Sequence, residues 1–123
     1  MTVTAITLAV VLDLFCVFLG YRFLFQPVPA AAGYGVPARA DGDAGAYLTV
    51  KGLRDGTLGV IGLALLAFAG TGAEAWFMLC VALVPLGDTL IVLRHGGAKA
   101  VAFGIHFATA LVVLISAGLL FAV

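Results

Sequence analysis

A chain of 123 residues that is 64% hydrophobic and only 10% charged, with a mean hydropathy of +1.26, has too little polar surface to cover a soluble globule. It reads as one all-α integral-membrane domain, residues 1–123. Six basic and six acidic side chains cancel, and with no basic patch to displace counterions from a phosphate backbone, a nucleic-acid partner is excluded.

The first apolar run, about Val3 to Phe25, carries Asp13 in its middle and has no basic segment before it. That pattern predicts a membrane span and not a cleaved leader. Residues 26–46 follow as a Pro/Gly/Ala-rich loop with Pro27, Pro29, Pro37 and Gly-Tyr-Gly at 33 to 35. Next comes Lys51-Gly52-Leu53-Arg54-Asp55-Gly56. The uncharged stretch after it, Thr57 to Ala69, makes about 20 Å of helix against a hydrocarbon core of ~30 Å. The second span must therefore begin near Tyr47, over 47–69, and it draws Lys51, Arg54 and Asp55 below the headgroups. The third helix is predicted over 75–93, where Pro85 should kink it and free a backbone carbonyl beside Asp88. The fourth is predicted over 100–123 and carries His106. Tight turns at Gly70-Thr71-Gly72 and His95-Gly96-Gly97 make the later helices antiparallel neighbours, and the pattern predicts an up-and-down four-helix bundle.

Traced through four spans, Arg22, Arg39, Lys51, Arg54, Arg94 and Lys99 all fall at one end. By the positive-inside rule that end is cytoplasmic, with loop 26–46 and turn 94–99, and both termini lie outside; in a bacterium the membrane would be the plasma membrane. Cys16 and Cys80 are expected as small apolar fillers. Glu74 is expected to mark the outer end of the third helix and His95 to sit exposed in a turn, neither with a chemical role.

Asp88 lies ~9 Å before Arg94 and His106 ~10 Å past Lys99, with Asp13 roughly 14 Å from the cytoplasmic end of its helix. All four helices thus bring an ionisable group into the cytoplasmic half. Lys51, Arg54 and Asp55, at i, i+3 and i+4, share a face that lipid cannot pair, so they are expected to turn inward. Thr49, Gly52, Gly56 and Gly59 form a second stripe that allows a partner backbone to approach closely. Tyr34 is either an interfacial anchor or a lid over the cytoplasmic mouth.

The Pro27 to Pro37 loop, Lys51-Gly52-Leu53-Arg54-Asp55, Val84-Pro85-Leu86-Gly87-Asp88 and the late His106 together resemble a family of small four-helix membrane proteins, found in bacteria and fungi, that is catalogued as a domain of unknown function. The K-G-x-R-D element is the most specific part. The resemblance implies the bundle fold and treats Lys51, Arg54, Asp55, Asp88 and His106 as a set; it implies no activity.

Two carboxylates, a guanidinium and an imidazole at one depth supply the parts of acid/base catalysis. The expectation is a small membrane enzyme acting on a lipophilic metabolite by isomerisation, cyclisation or epoxide opening. Asp13 or Asp88 would be the general acid/base, Arg54 and Asp55 a polarising pair and His106 a relay, with Lys51, Tyr34 and Tyr47 contacting substrate. This chemistry calls for no cofactor, and His95 and His106 stand too far apart in the chain's layout for a metal site. Two alternatives stand beside it: a proton-coupled transporter with Asp13 as coupling carboxylate, and a non-catalytic accessory subunit. A homo-oligomer is compatible with each.

Overall fold

In an apolar surrounding the backbone must satisfy its own hydrogen bonds, and a single chain does so most simply as helix. The computed structural model describes residues 1–123 as all-helical, and 82 of its 98 backbone hydrogen bonds lie within helices. The elements are α1 (Thr2–Phe25), α2 (Pro27–Tyr34), α3 (Gly42–Phe68), α4 (Thr71–Val81), α5 (Leu83–Arg94), a one-turn α6 (Lys99–Val101), a π-helical segment (Ala102–Phe107) and α7 (Ala108–Phe121). Three stretches, Thr2–Phe25, Thr71–Arg94 and Lys99–Phe121, are long and apolar enough to cross a membrane. α3 is longer still at 27 residues, and Asp43, Lys51, Arg54 and Asp55 set it apart from those three.

Four departures from the sequence reading bear on the site. The loop after α1 contains a helix, α2, with Pro27 at its first position, where the missing N–H costs nothing, and Gly35 closing it at φ 102°. α3 begins at Gly42, not near Tyr47: Asp41 stands extended at the N-cap and Asp43 sits in the first turn, where a carboxylate favours a helix start. The third predicted helix starts four residues earlier, at Thr71, and is broken at Ala82 into α4 and α5. Pro85 is the cause, since it cannot donate to the carbonyl of Val81. In the last helix, residues 102–107 widen into a π turn.

α1 packs most extensively on α3, and α4 on α7. The first contact is made by glycine. A Cβ at Gly20 would come within 2.6 Å of the Gly56 backbone, and one at Gly59 would meet the Asp13 carbonyl oxygen. The expected small-residue stripe is therefore used, and its partner is α1. At the end where both termini lie, Ala5, Ala9, Ala75, Met78, Ala117 and Leu120 form the main core. At the opposite end Phe23, Ala30 and Ala31 form a smaller one that folds α2 back over α1 and α3.

This packing separates two kinds of glycine. Gly59→Ala is expected to destabilise the protein by about 1–3 kcal/mol, because the obstruction is backbone. Gly118→Ala, on a helix face with nothing within 4 Å, is expected to stabilise it by roughly 0.5–1 kcal/mol. Thermal unfolding in a mild detergent compares the two.

Candidate active site

Behind α2 lies a cavity of about 210 Å³ whose lining comes from α1, α2, α3, the α4–α5 pair, the π segment and α7. Most of the wall is apolar. The polar groups converge at the α2 end and divide into two linked sets.

The first set is Tyr34, Asp88 and His106. The Tyr34 hydroxyl donates to Asp88 Oδ1 at 2.7 Å, tying α2 to α5. His106 Nε2 lies 2.7 Å from the Tyr34 carbonyl oxygen, which can only accept, so this nitrogen carries the hydrogen and donates. The tautomer leaves Nδ1 as the nitrogen that can take or give a proton. It faces Asp88 Oδ2 at 3.9 Å, within ion-pair reach and too far for a direct hydrogen bond. The Tyr34 and His106 rings also touch, with centroids 4.6 Å apart. His106 sits in the π segment, a distortion that re-aims a side chain and is frequent at functional sites. Burial, and then the hydrogen bond and charge of Asp88, push the Tyr34 phenol well above its ordinary range.

The second set is Lys51 and Asp55, one helical turn apart on α3 and paired at 3.0 Å. The Lys51 ammonium also lies 4.9 Å from the Phe23 ring centroid and 5.0 Å from that of Tyr34. Cation–π contact of this kind holds a charge in place where water is scarce. Tyr34 thus meets both sets, through its hydroxyl, its carbonyl and its ring.

The structure brings Tyr34, Lys51, Asp55, Asp88 and His106 to one cavity and leaves three expected residues out of it. Arg54 is exposed and makes no ion pair; three residues from Lys51 it is rotated far enough around α3 to leave the cavity, and Lys51 takes its place beside Asp55. Tyr47 is 74% exposed on the first turns of α3, away from the lining. Asp13 is 2% exposed but lines only a narrow side pocket that shares Phe15, Cys16, Leu58, Val81, Thr109 and Val113 with the main cavity. Its carboxyl lies against Gly62.

Two residues emerge that the sequence reading passed over. Glu74 is fully buried and not an end marker: its carboxyl neighbours that of Asp13, and Asp13 Oδ2 and both Glu74 oxygens lack a well-formed hydrogen bond. Glu74 points inward to Asp13 of α1, and the helix on which α4 chiefly packs is α7. Such a pair can share a hydrogen bond only when one carboxyl holds the proton. Arg22, in the last turn of α1, lines the cavity, and its Nε is buried without a partner. Its place at i+7 from Phe15, i+4 from Phe18 and i+3 from Leu19 was the available signal, since those residues share its helix face and also line the cavity.

Residues 14–120 match the model of the family described as Domain of unknown function (DUF4267). The chain belongs to this family. The DUF4267 match takes in every residue of the main cavity and Glu74, and begins one residue after Asp13. Neither the curated proteins nor the solved structures hold a match to this chain.

Removing an unpaired buried carboxyl relieves a cost of about 1–3 kcal/mol per orphaned group. Glu74→Met, close in volume, is therefore expected to raise the unfolding temperature in detergent. The Tyr34 phenol gives a pH signature. Its raised value means that the unfolded chain releases the proton first, so its contribution is fully present below about pH 10, the ordinary tyrosine value, and is lost as pH climbs beyond. Tyr34→Phe is expected to flatten that alkaline loss in unfolding curves recorded across pH 8 to 11.

Proposed function

We propose that this DUF4267 protein is a cofactor-independent membrane enzyme that moves protons on a lipophilic metabolite, by isomerisation, cyclisation or epoxide opening. The observation that carries the reading is the Tyr34–Asp88–His106 constellation inside an apolar cavity. His106 Nδ1 is the group that takes and returns a proton, and its ring is fixed by the Tyr34 carbonyl. Asp88, facing that same nitrogen, stabilises the imidazolium that forms, while the Tyr34 carbonyl on Nε2 is the orienting group. The Tyr34 hydroxyl remains a neutral donor at the working pH, and the Lys51–Asp55 pair supplies a fixed field across the cavity. The same groups suit acid-assisted ring opening, with the proton delivered from His106.

In this reading α3 also crosses the membrane, which makes an up-and-down arrangement of four spans. Its charged face is turned partly to the cavity and its Arg54 reaches toward the headgroups. The end carrying α2 faces the cytoplasm, because Arg22, Arg39, Lys51, Arg54, Arg94 and Lys99 all belong to it. Entry from the bilayer is supported by Phe18, Val84 and Ile105, which line the cavity and are also exposed on the outer surface of their helices.

One observation favours a second reading. The buried Asp13–Glu74 pair, joined to the cavity through the side pocket, is the kind of site that a proton-coupled transporter needs.

The test is mass spectrometry of a lipid-soluble metabolite extract incubated with proteoliposomes. A product of unchanged mass, or heavier by one water, is expected with the wild type. Asp88→Asn and His106→Gln are expected to lower its rate by about 10²–10⁴-fold, while Tyr47→Phe leaves it unchanged. Conversion by none of these proteins, together with a proton-driven flux that Asp13→Asn abolishes, would replace the enzyme with the transporter.

A further inference from the structure

Six basic side chains gather toward the α2 end, and only Arg22 lines the cavity with neither full exposure nor an acidic or hydrogen-bonding partner. Arg39 pairs with Asp41 on the surface, Lys51 pairs with Asp55, and Arg54, Arg94 and Lys99 are exposed. Arg22 is partly buried and lines the cavity; its side chain makes no hydrogen bond, and its Nε is closed off from solvent. A guanidinium keeps its charge in proteins, so a desolvated N–H on it is costly unless something accepts from it. The acids of the cavity are already engaged, Asp55 by Lys51 and Asp88 by Tyr34 and His106.

We propose that the cavity receives one end of a single-chain amphiphile that terminates in a negatively charged oxygen group, a carboxylate or a phosphate monoester, and that Arg22 is the residue that binds it. The inference rests on the cavity being the substrate site proposed above, and it supplies the class of substrate. A planar guanidinium matches such a group through paired, charge-assisted hydrogen bonds. Size points the same way. A volume of about 210 Å³ lies below the roughly 300–1,000 Å³ of pockets that enclose a whole drug-sized ligand. The rest of the chain must therefore lie outside. α1 and α5 scarcely touch each other, and the exposed apolar residues Phe18 and Val84 stand on either side of that gap. The tail leaves there, into lipid. Arg22 lies in the final turn of α1, at the end of its span, where the charged end of an amphiphile would be placed.

The test uses the full chain in phosphatidylcholine nanodiscs, with empty nanodiscs as the partition control, and four probes of one chain length: dodecanoate, dodecyl phosphate, dodecanol and dodecylammonium. Saturable binding of one or both anions, at least about tenfold tighter than the alcohol or the amine, is expected from a charge-assisted pair. Arg22→Gln is expected to abolish that preference, Arg22→Lys to retain part of it, and Arg54→Gln, an exposed cation outside the cavity, to leave it intact. Tighter dodecanoate marks a fatty-acid-like ligand, and tighter dodecyl phosphate marks a lipid headgroup; either supports the proposal. Equal binding of dodecanol and dodecanoate to wild type, or an anion preference undiminished in Arg22→Gln, overturns it. If Arg22→Gln does not elute as a folded protein, the wild-type probe series and Arg22→Lys decide. Anion binding without any turnover would sink the enzyme reading alone, and turnover of neutral lipids without anion preference would sink the Arg22 assignment alone.

Discussion

Backbone-to-backbone contact between α1 and α3 is the constraint on which the remaining geometry depends. Gly20 against Gly52 and Gly56, and Asp13 and Val17 against Gly59 and Gly62, leave no room for a side chain between the two helices. Without water, helix association relies on close packing, and glycine permits the closest approach. Because α1 is drawn onto α3, it stands away from α5, and the space between them becomes the cavity. The same contact sets Cys16 and Phe23 of α1 beside Lys51 and Asp55 of α3, so a structural stripe and a charged face on one helix serve one site.

The polar groups of that site are held by a segment that adds little to the main core. α2 is eight residues long, yet through Tyr34 it satisfies Asp88, fixes His106 and stacks beside Lys51. Gly35 allows this closure: at φ 102° it reverses the chain against Val92 and Val101, where a Cβ would meet the Val101 side chain at 2.9 Å. Side chains from three elements, α3, α5 and the π segment, are thus coordinated by one aromatic residue. In a low-dielectric surrounding an unsatisfied polar group is expensive, so a residue that satisfies several neighbours at once gives the site a single arrangement.

Much of the candidate site was legible because ionisable residues in an apolar chain have few places to go. Lys51, Asp55, Asp88 and His106 stood out by that rule, and their convergence followed from helical rise alone. Arg54 did not follow it. Its long side chain lets it sit near the charged face and still reach outward, and a difference of 60° around a helix is too fine to read from spacing. Glu74 was misjudged for the opposite reason. Its place near the end of its own helix predicts exposure, but burial is set by which way the side chain turns, and Glu74 turns inward to Asp13.

The sequence by itself determined the class of the protein, its apolar segments, the glycine stripe, the clustering of charge at one end and most of the residues that could carry chemistry, because these follow from composition, length and the 3.6-residue period. Only the tertiary structure decided that α1 is the partner of the stripe, that Tyr34 bridges Asp88 and His106, that Lys51 and not Arg54 pairs with Asp55, and that Asp13 and Glu74 meet. Those outcomes depend on the rotation and relative height of helices, which are fixed by the sum of all their contacts and not by any one segment.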